Sequence, residues 1–131
     1  QPARGLTVFF VNDAPIRRCL TDPRVEGLVI LPAGSPLASS SETLSSPKMV
    51  HLADELKSRY PDRIVIYDLP PLLTTDDALV FLKHVDCCLL VVEEGSTRVG
   101  DVERALELLD GHDLIGTVLN KSSEKSQSYY Y

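Results

Sequence analysis

Asp68 directly follows Ile64-Val65-Ile66-Tyr67 and is followed by Leu69-Pro70-Pro71. A short, continuous, largely β-branched run predicts a strand buried on both faces, as in a parallel sheet. The carboxylate then stands at the carboxyl end of that strand, where open α/β sheets place their ligands. Proline cannot donate to a sheet ladder, so Pro70 and Pro71 force the chain to turn there. This is the arrangement of a Walker-B carboxylate, which holds the Mg²⁺ of a bound nucleotide directly or through water. A strand ending in a turn-forming Asp is the other reading of the same residues.

Further polar groups are placed to act with Asp68. Asn120 ends the last apolar run, and its amide offers a donor and an acceptor to an adenine edge. Asp76 and Asp77 start a helix, where carboxylates suit the positive end of the helix dipole; they are also within the chemistry of a Mg²⁺-bound phosphate. No glycine is followed by Lys, so this sequence contains no Walker-A loop. His51, His84 and His112 have no metal or triad spacing and are expected at the surface. Tyr129, Tyr130 and Tyr131 are three of the five tyrosines. Packing does not explain aromatic residues in a polar tail, but phosphorylation does, since each phosphate adds nearly two negative charges to a mobile segment.

The elements that position these groups follow from punctuation and periodicity. Residues 1–18 are short and mixed, with Asp13 expected to cap a brief helix that has Pro15 in its first turn and carries Ile16, Cys19 and Leu20. Residues 28–31, 64–67, 88–92 and 115–119 are the expected strands. Residues 33–46, rich in Ser, Pro and Gly, predict a loop. Ser46 and Pro47 open a helix with Met49, Leu52, Ala53, Leu56 and Tyr60 on its buried stripe. Thr74 or Thr75 is expected to cap a helix with Leu79, Leu82 and Val85 inward. Ser96 or Thr97 is expected to cap one with Val99, Val102, Leu106 and Leu109 inward, and Gly111 fits a left-handed position after it. Residues 121–131 are polar, aperiodic and expected to be disordered. Strands alternating with helices of this length predict an α/β fold with a parallel sheet and right-handed crossovers.

At 131 residues, 44% apolar and 24% charged, the chain has the means for a real core. A net charge of -6 argues against a nucleic-acid scaffold. No apolar run approaches membrane-spanning length. Cys19, Cys87 and Cys88 are no disulfide framework and match no zinc spacing; Cys87 and Cys88 are expected as buried small hydrophobes in a reducing cytosol. A first residue of Gln1 rather than Met suggests a piece of something longer.

With Asp68 and the tyrosine tail together, the sequence resembles the cytoplasmic kinase domain of bacterial tyrosine kinases. These are the capsule and exopolysaccharide autokinases of the MinD/ParA-like group of P-loop ATPases. Gly27 to Gly34 resembles the family's strand and Pro-Ala-Gly loop, and Ser45-Ser46-Pro47-Lys48-Met49 resembles the start of its following helix. Residues 64–71 resemble its Walker B, Asp76-Asp77-Ala78 the Asp-Ala that follows, Leu89 to Val92, Gly95, Thr97 and Val118-Leu119-Asn120 its last two strands, and Tyr129 to Tyr131 its phosphorylated cluster. Leu69 stands where the family usually has Thr.

The resemblance implies that residues 1–120 are the C-terminal portion of a P-loop kinase or ATPase domain with flanking helices and a partial parallel sheet. The Walker-A strand would lie outside the chain, leaving a gap between residues 64–67 and 88–92. It implies ATP and Mg²⁺ as cofactors of the parent protein, Asp68 as the catalytic or metal carboxylate, Asn120 at the base, and an isolated piece that is inactive. It also implies a membrane-embedded chain-length regulator as partner, self-association for phosphorylation in trans, and a place at the inner face of the cell membrane through a partner or an upstream segment. A MinD/ParA-type positioning ATPase, which shares these strand motifs, and a degenerate, non-catalytic regulatory domain are the alternatives.

Overall fold

The computed structural model describes residues 5–36, 40–59 and 61–123. Tyr60 and, of the expected tail at 121–131, residues 124–131 with Tyr129, Tyr130 and Tyr131 lie outside the described residues. The chain divides into two units, Gln1–Arg63 and Ile64–Tyr131.

In the first unit the segment expected to be mixed contains a helix, α1 (Leu6–Asn12). Its aromatic and β-branched residues favour strands by propensity. Tertiary partners for the orphan groups at both helix ends override that preference. At the start, Leu6 N–H donates to Pro32 O at 2.7 Å and Thr7 N–H to Ala33 O at 3.0 Å. The Thr7 hydroxyl donates to Ala33 O and Ser35 O at 2.9 and 2.6 Å. At the end, Lys48 Nζ donates to Phe9 O at 2.8 Å and Phe10 O at 3.3 Å and pairs with the Asp13 carboxylate. Asp13, expected to open the next helix, is instead the left-handed residue that closes α1. The brief α2 (Ile16–Cys19) starts after Pro15 with no side-chain cap, and its Cys19 is buried.

The expected strand at 28–31 reduces to one antiparallel bridge between Ile30 and Thr21. Leu28, Val29 and Ile30 are exposed, since among the described residues no strand flanks this segment. The expected loop at 33–46 contains α3 (Ser40–Leu44). The long helix α4 (Pro47–Arg59) forms as expected. Ser46 Oγ accepts from Met49 N–H at 3.3 Å, the N-cap bond that Ser before Pro predicts. Met49, Leu52 and Ala53 are its buried stripe.

The second unit holds α5 (Asp77–Leu82), β1 (Cys88–Glu93), α6 (Val99–Leu108) and β2 (Leu114–Asn120). β1 and β2 pair in parallel, from Leu89 opposite Gly116 to Glu93 opposite Asn120, with an irregularity between Cys88 and Leu89. A parallel pair needs a crossover, which α6 supplies. Its buried positions are Ala105 and the following Leu109, one turn apart; Val99 and Leu106, expected inward, are exposed. Neither expected capping pair is used. α5 starts after Asp76 and α6 after Arg98, both without a side-chain cap bond. Thr97 Oγ1 instead accepts from Glu93 N–H at 3.0 Å. Gly111 has the expected positive φ, +82°.

The predicted strand at 64–67 is not a strand. The segment is extended but joins no ladder, and Ile64 and Ile66 are 91% and 85% exposed. An extended segment is buried on two faces only when strands flank it, and the sheet among the described residues has two strands, β1 and β2. Cys87 is exposed and Cys88 half-buried, against the expectation of two buried thiols, because both precede or open the sheet. His84 is half-buried, not a surface residue, while His51 and His112 are exposed.

Candidate functional site

Asp68 is exposed on the extended segment that precedes the Pro70-Pro71 turn. Thr74 closes that turn by donating its N–H and its hydroxyl to Pro71 O at 3.1 and 2.8 Å. The chain then enters α5, whose Asp77, Ala78, Phe81 and Leu82 are buried. Phe81 reaches back to the segment: its ring centroid lies 4.8 Å from that of Tyr67, the residue before Asp68. His84 meets the Phe81 ring edge-on, with centroids 5.4 Å apart. The sequence patterns pointed to a ladder as the support for Asp68, whereas an aromatic contact holds its neighbour. The signal for this was present in Tyr67 as the one aromatic residue of the run.

Asn120 ends β2 opposite Glu93, as its position after an apolar run predicts. Lys121 N–H donates to Asn120 Oδ1 at 2.9 Å. That contact fixes the amide's orientation, because a donor facing the NH₂ would repel it, and it leaves the NH₂ to donate elsewhere. A set of polar contacts that the sequence did not reveal surrounds it. Lys121 Nζ pairs with Glu93 at 2.6 Å. Ser123 donates its N–H and hydroxyl to Glu94 at 2.5 and 3.1 Å. Glu94 N–H donates to Asn120 O at 3.0 Å. The carboxyl ends of both strands are thus tied together by side chains as well as by the ladder. Asp68 is not part of this framework, so hydrogen-bonded register joins Glu93 to Asn120 but not Asp68 to either.

Among the described residues no group of three or more His, Cys, Asp or Glu side chains is arranged to hold a metal ion. A lone exposed carboxylate fits a Mg²⁺ that keeps several waters and takes its remaining ligands from phosphates, not an all-protein cage. No described helix is long and apolar enough to cross a membrane.

The parallel β1–α6–β2 unit and its flanking helices define an α/β protein, with candidate polar groups at the carboxyl end of its strands. The chain is a relative of the bacterial tyrosine-protein kinases. It is 36% identical over 97% of its length to CapB of Staphylococcus aureus, described as a candidate tyrosine-protein kinase, and spans 56% of that protein. It is 30% identical over 89% of its length to the tyrosine-protein kinase CpsD of Streptococcus pneumoniae and spans 52% of it. Among solved structures, the VpsO kinase domain superposes with a TM-score of 0.80 at 32% identity, covering 91% of this chain and 59% of that one. The chain therefore spans about half the length of the curated relatives it matches. No family model matches it.

Proposed function

We propose that this chain is part of an ATP-dependent protein-tyrosine autokinase that governs capsule or exopolysaccharide synthesis and export. The observation that carries this reading is similarity over nearly the whole chain to proteins named tyrosine-protein kinases, together with the superposition on a kinase domain. Residues 1–120 are then a portion of a MinD/ParA-like P-loop domain whose Walker-A strand lies elsewhere in the parent protein. That the segment at 64–67 joins no ladder and β1 pairs with one strand, β2, among the described residues supports this, since both are what a sheet lacking one internal strand leaves behind.

Mg²⁺-bound ATP supplies the phosphoryl group when present. Asp68 offers its carboxylate to the metal's water shell or to the proton of an incoming tyrosine hydroxyl. Asn120, its oxygen held by Lys121 N–H, presents its NH₂ to the base. Tyr129, Tyr130 and Tyr131 are the acceptors, delivered by one copy to its neighbour's site. A membrane-embedded chain-length regulator is the partner, and it recruits the domain to the inner face of the membrane.

The test is the full-length protein with ATP and Mg²⁺, read by peptide mass spectrometry. Phosphate on Tyr129–Tyr131 that disappears with Asp68→Asn is the expected result. ATP turnover without any tyrosine phosphorylation would replace this reading with the positioning-ATPase one.

A further inference from the structure

β1 and β2 pair with each other, so among the described residues each keeps one edge outside any ladder. Glu94 N–H donates to Asn120 O at 3.0 Å, so Asn120 faces β1. The ladder's irregularity lies before Gly116, and residues 116–120 run in regular register. By the alternation of a ladder, Thr117 and Leu119 turn their N–H and C=O groups to the open edge of β2. Edge strands are commonly blunted by a charge or a proline, and Leu114–Asn120 contains neither. Ile115 and Leu119 are 66% and 55% exposed, and Thr117 is exposed between them. The chain after the strand does not run back along this edge as far as Ser123. Lys121, with φ +56°, turns the backbone, and Lys121 and Ser123 bind Glu93 and Glu94 at the end of β1.

The strand is complementary to itself in the antiparallel sense. A two-fold axis at Thr117 sets Thr117 opposite its own copy, Gly116 opposite Val118 and Ile115 opposite Leu119. The first pair exchanges backbone hydrogen bonds and brings two hydroxyls together. In the second, the glycine leaves room for the valine side chain. The third covers two exposed apolar side chains. The same axis brings Asp113, just before the strand, beside Lys121, just after it, at both ends of the pair. The open edge of β1 has no such match. Asp86 precedes that strand, Glu93 ends it and Glu94 follows, so antiparallel self-pairing would set acid against acid.

We propose that the open edge of β2 docks a second copy of this chain, the two β2 strands pairing antiparallel about a two-fold axis at Thr117. Such a contact uses the same patch on both copies and closes at a dimer. The backbone groups that β2 turns outward are then satisfied by the partner strand. Lys121 holds Glu93 in an exposed ion pair worth under about 1 kcal/mol, so sharing its ammonium with the partner's Asp113 costs little. A single strand edge buries less than the roughly 1,200 Å² of a stable interface, so the dimer is weak and depends on concentration.

The experiment follows the full-length protein by sedimentation velocity over a dilution series without ATP, so its outcome is independent of phosphoryl transfer. The parent should dimerise. Asp113→Lys and Lys121→Glu, each with circular dichroism matched to the parent, should each weaken the step by roughly tenfold. Mixing the two variants should restore it, because the mixed pair has opposite charges at both ends. Thr117→Cys should give, under mild oxidation, a disulfide-linked dimer whose cross-link maps to position 117 in both chains. A parent that stays monomeric, self-association that ignores both charge reversals, a mixture no stronger than either variant alone, or no cross-link at position 117 would each overturn the proposal. Truncation after Ser123 that strengthens the pairing would overturn it in favour of the chain's own tail as the occupant of this edge.

Discussion

The Tyr67 ring rests on the Phe81 ring, with centroids 4.8 Å apart and planes tilted by 57°. Phe81 is 1% exposed and belongs to α5, so a buried helix residue holds the step immediately before Asp68. Phe81→Ala removes both the burial and the ring contact. A loss of about 3–5 kcal/mol in unfolding free energy is expected, read by urea denaturation. Phe81→Leu keeps the apolar volume and should recover roughly half of that loss. An Ala variant as stable as the parent would mean that the contact does not organise this segment.

Gly5 is required by geometry. Its φ is +137°, and a Cβ there would lie 2.6 Å from Pro32 O and 2.8 Å from Gly34 N, both backbone atoms that cannot rotate away. Gly5→Ala should cost about 1–3 kcal/mol. Amide hydrogen exchange should then rise first at Leu6 and Thr7, whose N–H groups donate to Pro32 O and Ala33 O.

Lys48 joins α4 to the carboxyl end of α1 through Phe9 O, Phe10 O and the Asp13 carboxylate. It also lies 4.8 Å from the Phe9 ring centroid. Lys48→Met keeps the apolar stem and removes the donors and the charge. Since Asp13 is largely exposed, the ion pair contributes little, and the loss is expected to be about 1–2 kcal/mol from the carbonyl contacts and helix dipole. Thermal melts at low and high salt distinguish the two: the carbonyl bonds survive salt that screens the pair.

Asp68→Asn conserves size and removes the charge. Because Asp68 is exposed, stability should change by less than about 0.5 kcal/mol. On the kinase reading, phosphorylation of Tyr129–Tyr131 should fall by about 10²-fold or more. Full activity in this variant would remove Asp68 from the site.

The Cys88 thiol is held above its ordinary value by burial, Cys87 and Asp113. A raised pKa in the folded state means that folding keeps a proton that the unfolded chain releases. The associated stability is fully present below the unfolded thiol's value, about 8.5, and is lost as pH rises through the folded one. The decline in melting temperature above that pH should be smaller in Cys88→Ala than in the parent. An identical alkaline decline would show that another group controls it.

Much of the local structure was legible in residues alone. Ser46-Pro47 and the Met49, Leu52, Ala53 spacing specify α4, because capping and helical period act within a single element. The apolar runs at 88–92 and 115–119, with α6 between them, specify a parallel crossover for the same reason. The motif around Asp68 and the tyrosine tail together carried the kinase resemblance. Tertiary structure decided the rest. The run at 64–67 has strand composition, yet a strand exists only within a ladder that takes its N–H and C=O groups, and among the described residues this run joins none. The residues of α1 favour a strand, yet Pro32, Ala33 and Lys48 satisfy its helix ends from positions distant in sequence. The Asn120–Lys121–Glu93 contacts likewise depend on register between β1 and β2. No local pattern encodes that register, because it is set by which distant segments complete each other's hydrogen bonds.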